Sequence, residues 1–155
     1  MEQITELLLL LQKKEELFLQ FEAVTNIMLD CPVEELEQHM DTRNKLQGQI
    51  EALDEQMKGC CSADAQMKDC LKLNCQREQL TEQQQQVFDA SQKIFAVVNR
   101  IQTLHPVVEQ RMREELRVLE GKIKEINRSV GAIAAKYQTA GSGYSMQPYG
   151  PFQKI

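Results

Sequence analysis

The fold is decided by the stretch VVEQRMREELRVLEGKIKEINRSVGAIAAKY, residues 107–137. Apolar residues recur in it at steps of three or four, which is the period of one face of an α-helix. The series consists of Val108, Met112, Leu116, Leu119, Ile123, Ile126, Val130, Ile133 and Tyr137. From Met112 onward the steps alternate between four and three, which is a heptad repeat, so the stretch predicts a helix over about 106–137 that packs in the manner of a coiled coil.

The preceding residues carry the same kind of pattern with few interruptions. The first 138 residues contain only four Gly and two Pro, too few for the turns of a β-sandwich or an α/β fold. Three more helices are predicted, over about 3–29, 32–58 and 63–104, with boundaries at Pro32, at Gly59 and at His105-Pro106. The predicted fold is all-α: an elongated antiparallel helical hairpin or four-helix bundle with coiled-coil-like packing.

A single helical domain is predicted over 1–138. The run of glutamines at 83–86 leaves open whether the third helix is continuous or kinked there. Residues 139–155 are rich in Gly, Ser and Pro and are expected to form a flexible C-terminal tail. Its aromatic residues, Tyr144, Tyr149 and Phe152, fit either an unstructured tail or a short docking peptide.

Composition argues against an enzyme. The chain has two histidines, His39 and His105, and neither lies in the Glu-x-x-His pattern of a di-iron helical bundle. The sequence has no glycine-rich phosphate-binding loop. We therefore expect no catalytic site and no cofactor.

The cysteines are an odd number in a chain with no recognisable export signal, so they are expected to be reduced. They are Cys31, Cys60, Cys61, Cys70 and Cys75. Their spacing lacks the paired Cys-x-x-Cys units of zinc sites. On a continuous helix, Cys70 and Cys75 would face different ways. The sequence therefore predicts small buried apolar residues and no bound metal.

Charge is distributed unevenly along the chain. Residues 1–30 and 31–62 each carry a net charge of −4, whereas residues 106–155 carry +3. The bases of the last helix are interleaved with five acids and with no aromatic residue suited to base stacking. This pattern predicts surface salt bridges and no binding of nucleic acid.

Two features bear on location. The sequence has no run of about 18 apolar residues, so no membrane insertion is expected. Glu2 and Glu6 precede the Leu run at 7–11, where a signal peptide would carry basic residues. A cytoplasmic location is therefore expected.

Most of the apolar stripes must form the core of the bundle, but helices of about 27 and about 42 residues cannot cover one another completely. Exposed apolar surface usually marks a partner site, and the alternative is a homodimer that covers the same surface. Arg43 occupies a stripe position of the second helix and is expected to reach solvent from the stripe edge. The candidate partner-binding residues are Leu116, Leu119, Ile123, Ile126 and Val130 of the last helix, with Tyr149 and Phe152 of the tail.

Two stretches also resemble a known family. CPVEELEQHMDTRNKLQGQIEALDEQM, residues 31–57, contains the pattern R-x-x-L-x-x-x-I-x-x-L-D, formed by Arg43, Leu46, Ile50, Leu53 and Asp54. The end of the chain contains LEGKIKEINRSVGAIAAKYQ, residues 119–138, followed by PYGPFQK, residues 148–154. The first stretch resembles the second helix of bacterial flagellar export chaperones of the FlgN and FliT kind, and the second resembles their last helix and aromatic tail.

This resemblance implies a small all-α cytoplasmic chaperone. Such proteins hold the terminal helices of a hook-associated or filament-cap subunit, keep it unassembled, and hand it to the type III export apparatus. The client's amphipathic helix would dock on an apolar stripe, and in this family the last helix is part of the client site or covers it. The alternative function is a structural coiled-coil protein that self-associates and has no client.

Overall fold

The computed structural model describes residues 2–61 and 64–139. Within these ranges the regular structure is helical, without strands, so the predicted all-α helical bundle is confirmed. The four α-helices are α1 (Glu2–Ile27), α2 (Leu36–Cys61), α3 (Ala65–Leu71) and α4 (Glu82–Thr139), and single 3-10 turns occur at Val33–Glu35 and Arg77–Gln79.

Contacts divide the chain into two units, Met1–Glu109 and Gln110–Ile155. The single domain over 1–138 stays a prediction. Among the described residues, no helix combines the length and the apolar content that crossing a bilayer requires.

In the first unit, α1 and α2 pair as an antiparallel hairpin. Lys14, midway along α1, donates a hydrogen bond of 2.6 Å to Asp54 late in α2. Met28, just beyond α1, accepts from Arg43 early in α2 at 3.8 Å. The first part of α4 lies against this hairpin, where Arg100 donates to both carboxylate oxygens of Glu22 at 2.7 and 3.2 Å.

The core of the first unit draws apolar side chains from all four helices. Burying each large aliphatic side chain contributes about 1.5–3 kcal/mol, so this cluster is the main source of stability in the unit. Its buried members are Leu7, Leu10, Leu11, Met57, Cys61, Met67, Cys70, Leu80, Val87 and Ile94.

The structure corrects the predicted helix over 63–104, because the chain leaves the helical conformation after Leu71 and re-enters it at Glu82. Leu73 has φ 59°, in the left-handed region. The N–H groups of Leu73 and Asn74 donate back to the carbonyls of Cys70 and Asp69 at 3.2 and 2.9 Å, which are the two bonds of a Schellman cap. A Leu in this conformation costs about 1–2 kcal/mol, and its identity gives no hint of a helix end.

The start of α4 is fixed by a capping box that the sequence contains. The N–H of Thr81 donates to Gln84 Oε1 at 3.0 Å, and the N–H of Gln84 donates to Thr81 Oγ1 at 3.3 Å. This reciprocal Thr-x-x-Gln arrangement satisfies two backbone donors at the helix N-terminus. The break therefore lies before the glutamine run 83–86, which is helical throughout.

The structure also corrects the boundary at His105-Pro106, because α4 continues through Pro106. A proline inside a helix removes one backbone hydrogen bond and costs about 3 kcal/mol. Pro106 itself is exposed, while Ile101 and Val108 on either side are buried. Burial of these flanking side chains offsets the cost. His105, which precedes the proline, is therefore helical although this position usually disfavours the helical conformation.

The remaining boundaries shift by a few residues. α1 ends at Ile27, and α2 runs from Leu36 to Cys61 because residues 33–35 form a 3-10 turn. Gly59 consequently lies inside α2, where the sequence predicts a C-terminal cap. α3 is capped by Asp64, whose side chain accepts from the N–H of Met67 at 3.1 Å.

Replacing Gly48 by Ala should stabilise the protein. Gly48 lies in the middle of α2, and a Cβ atom built there has no neighbour within 4 Å. Because Gly in a helix interior is less favourable than Ala by about 0.8–1 kcal/mol, the free energy of unfolding should rise by about 0.5–1 kcal/mol. Urea denaturation monitored by circular dichroism measures this change. A lower unfolding free energy for Gly48→Ala would contradict the open surroundings of this position.

Candidate functional site

The second unit carries an exposed apolar surface on α4, which we call the α4 stripe. It consists of Met112, Leu116, Leu119, Ile123, Ile126, Val130, Ile133 and Tyr137. Leu116, Leu119 and Ile126 are 53, 54 and 60 % exposed, and Ile123 and Val130 are half-buried. In the first unit the same helix has a buried apolar face, which consists of Val87, Ile94, Val97, Ile101 and Val108. The helical period places all five predicted partner-binding residues of α4 on this one face.

Three further residues extend this surface beyond the predicted set. Met112, Ile133 and Tyr137 continue the same heptad series, and Ile133 and Tyr137 are 52 and 56 % exposed. The heptad spacing was sufficient to find them. The two tail residues of the predicted site, Tyr149 and Phe152, lie outside the described residues, as does Tyr144.

The surroundings of the α4 stripe are basic. Residues 110–139 contain seven basic and four acidic residues. A positively charged rim around an apolar surface favours partners that carry acidic residues beside their own apolar anchors, mainly by speeding encounter and excluding like-charged partners.

Arg43 is buried in the first unit, which corrects its predicted position at a solvent-facing stripe edge. It is only 7 % exposed, and its guanidinium stacks over the ring of Phe21 with a centroid distance of 4.6 Å. Burial lowers the pKa of Arg43, and the nearby carboxylate of Glu109 partly opposes this shift. The planar guanidinium suits such stacking, and no local pattern in the sequence indicates the aromatic partner on α1.

A chain of polar contacts continues from Arg43 to the surface of the unit. Its Nη2 lies 3.0 Å from Nδ1 of His105, and Nε2 of His105 lies 2.9 Å from Oε1 of Glu109. Since a guanidinium only donates, Nδ1 must accept, and the imidazole proton sits on Nε2 facing Glu109. These contacts hold the buried cation by hydrogen bonding and place no nucleophile beside the imidazole.

The cysteines are all free thiols, and two of them come together where the sequence predicts separation. The Schellman turn after α3 brings Cys75 Sγ to 3.9 Å from Cys70 Sγ, to which it donates a weak hydrogen bond. Burial, followed by that hydrogen bond, raises the pKa of Cys70 to about 11. Burial also raises the pKa of Cys60 and Cys61. These three thiols stay protonated at neutral pH and are therefore poor nucleophiles.

A small crevice of about 140 Å³ opens between the helices of the first unit. Leu11, Phe18, Met57 and Phe95 line it, and the buried Ser91 Oγ has no hydrogen-bond partner among the described residues. Ligand pockets usually have volumes of about 300–1,000 Å³, so this crevice is too small for a cofactor.

No group of three or more His, Cys, Asp and Glu side chains within residues 2–61 and 64–139 is arranged to hold a metal ion. The α4 stripe is therefore the most extensive candidate for a functional site in the described part of the chain, and what it can do is bind another apolar surface.

Removing the side chain of Arg43 should cost more stability than replacing it by an apolar chain of similar length. Arg43→Ala leaves a cavity beside Phe21 and should lower the free energy of unfolding by about 2–3 kcal/mol. Arg43→Met fills the same space, and water can reach the partly exposed His105, so the loss should be about 1 kcal/mol or less. Urea denaturation of the two variants checks this order. Equal losses would mean that the charge of Arg43, and not its packing, stabilises the fold.

The raised pKa of Cys70 predicts a stability loss at high pH. Its pKa is about 11 in the folded chain against an ordinary value of 9.0, so the contribution is complete below pH 9 and is lost as pH rises towards 11. Urea midpoints measured between pH 8 and 11 should fall more steeply for the natural chain than for Cys70→Ser, whose hydroxyl does not titrate there. Identical slopes would contradict the assignment of the shift to Cys70.

This chain was compared with protein-family models, curated proteins and solved structures. No family model, no curated protein and no solved structure matches it. The resemblance of residues 31–57 and 119–138 to flagellar export chaperones thus stays a prediction. In the described part of the structure, Arg43, Leu46 and Ile50 of the first of these stretches are buried, and Asp54 binds Lys14.

Proposed function

We propose that this protein is a cytoplasmic export chaperone with no enzymatic activity, which binds an amphipathic helix of a client protein on the α4 stripe. The observation that carries the proposal is the exposure of a regular apolar stripe on the helix, since contiguous exposed apolar surface usually marks a site of interaction. Helix recognition uses apolar side chains spaced three and four residues apart along a helix. The apolar side chains of the α4 stripe have this spacing.

The proposed clients are the terminal helices of a hook-associated or filament-cap subunit, to be passed to the flagellar type III export apparatus. This assignment is supported by the sequence resemblance alone, and the basic rim of the stripe adds a chemical criterion for the client. A client helix with acidic residues flanking its apolar face would be attracted to residues 110–139, and its association rate would fall as salt is added.

Placing a charge on the α4 stripe should abolish client binding without unfolding the chain. Ile126→Asp puts a carboxylate where 60 % of the side chain is exposed, so folding should be little affected. Desolvating that carboxylate against a client would cost about 2 kcal/mol or more, and Ile123→Asp should act in the same way. Titration calorimetry with recombinant hook-associated and filament-cap subunits measures the loss.

Ala132→Asp is the matched control, because it adds the same charge at an exposed position of α4 outside the stripe. It should leave client affinity unchanged. Stronger binding by Ile126→Asp would identify the stripe as a cover over a client site elsewhere. Loss of helical circular dichroism in both stripe variants would instead mean that the stripe is core, and absence of binding by the natural chain would favour the structural coiled coil.

A further inference from the structure

The α4 stripe has a symmetry that an arbitrary client site does not need. Its residues fall into two heptad positions: a, consisting of Leu116, Ile123, Val130 and Tyr137, and d, consisting of Met112, Leu119, Ile126 and Ile133. The series reads with the same spacing in both directions from a midpoint between Lys124 and Glu125. Two copies of the helix laid antiparallel about that midpoint therefore place every a residue opposite a d residue.

This register pairs all eight residues and leaves none uncovered. Ile123 lies opposite Ile126 of the second copy, Leu119 opposite Val130, and Leu116 opposite Ile133, with Met112 opposite Tyr137 at the ends. Isoleucine thus faces isoleucine at the centre, and leucine faces valine or isoleucine in the next two layers, so each layer is filled by aliphatic side chains of similar volume. A shift by one heptad in either direction would leave apolar residues exposed at the ends.

Charges beside the stripe distinguish the antiparallel from the parallel arrangement. In the antiparallel register Glu115 lies opposite Lys136 of the second copy, twice by symmetry, and no like-charged pair faces across the seam. In a parallel dimer Glu115 would face Glu120 of the second copy, again twice, with no attractive pair to offset it. Two further bases beside the seam, Arg113 and Lys122, face the uncharged Ala134 and Ser129 of the second copy. The remaining bases occupy positions on the outer side of the helix: Arg111, Arg117, Lys124 and Arg128.

We propose that a second copy of this chain covers the α4 stripe, the two stripes packing antiparallel about a twofold axis level with Lys124 and Glu125. One consequence of this dimer rests on the proposed function: the second copy shields the stripe until a client displaces it. Client binding and dimerisation are then mutually exclusive, so weakening the dimer should strengthen the apparent affinity for a client.

Charge reversal tests the register, using sedimentation equilibrium of the full chain in reducing buffer. The natural chain should be a dimer. Glu115→Lys and Lys136→Glu each turn two attractive pairs into two repulsive ones and should raise the dimer Kd by about tenfold. The double variant restores opposite charges and should return the Kd to within about twofold of the natural value. Glu125→Lys, an equal charge change outside the seam, is the control and should have little effect.

Each other outcome overturns the inference. Tighter dimerisation of Glu115→Lys would indicate a parallel dimer, because that change relieves the repulsion from Glu120. A natural chain that stays monomeric up to its solubility limit would exclude the second copy as the occupant. A monomer that dimerises only after removal of residues 140–155 would place the tail on the stripe. Failure of the double variant to recover would rule out the Glu115–Lys136 pairing.

The measurement is made without a client, so its failure is separable from failure of the proposed function. A dimer that binds no hook-associated or filament-cap subunit would leave the inference standing and remove the chaperone. A monomer that binds such a subunit would do the reverse.

Discussion

Burial of one apolar face by α1, α2 and the first part of α4 is the interaction on which the rest of the structure depends. α1 and α2 contain 26 residues each, whereas α4 contains 58. The first unit consists of α1, α2, the short α3 and the first part of α4, and in it Leu7, Val87 and Val108 are fully or almost fully buried. The apolar series of α4 continues into the second unit, where Leu116 and Ile126 are more than half exposed. Apolar residues spaced three or four apart thus form core in the first part of α4 and exposed surface in its second part.

The unusual polar groups of the first unit are accounted for by packing. Arg43 is held by the face of Phe21 and by His105, so a buried cation is accommodated with only a lowered pKa. Cys70 and Cys75 approach each other because Leu73 adopts the left-handed conformation that ends α3. Burial and the contact with Cys75 raise the pKa of the Cys70 thiol, which makes it less nucleophilic than an ordinary cysteine.

A client helix and a second copy are both proposed to occupy the α4 stripe, and competition between them would have a regulatory consequence. Binding of a client that recognises only the monomer must be preceded by dissociation of the dimer. Its apparent affinity would therefore decrease as the dimeric fraction of the chain increases. The basic rim would favour an acidic client over a second copy at long range, whereas the proposed pairing of Glu115 with Lys136 would act only at contact. Protein concentration and salt would therefore set the balance between the two states.

Sequence periodicity was sufficient to predict the helices, the α4 stripe and the lack of strands within residues 2–61 and 64–139. The reason is that a 3.6-residue period and a shortage of turn residues are local properties. Helix ends were predicted less well. The Thr-x-x-Gln pattern of the capping box at Thr81 is visible in the sequence. The Schellman turn at Leu73 is not, because a non-glycine residue is held in the left-handed conformation there by the surrounding packing.

Only the tertiary structure determines which side chains from different helices contact one another. The proximity of Arg43 to Phe21 and His105, separated from it by 22 and 62 residues, depends on how three helices align, and no local pattern encodes that alignment. The same holds for α4, in which apolar residues recur every three or four positions both before and after residue 109. In the first unit, α1 and α2 supply the side chains that bury its apolar residues, and this burial is a property of the packed chain and not of the repeat.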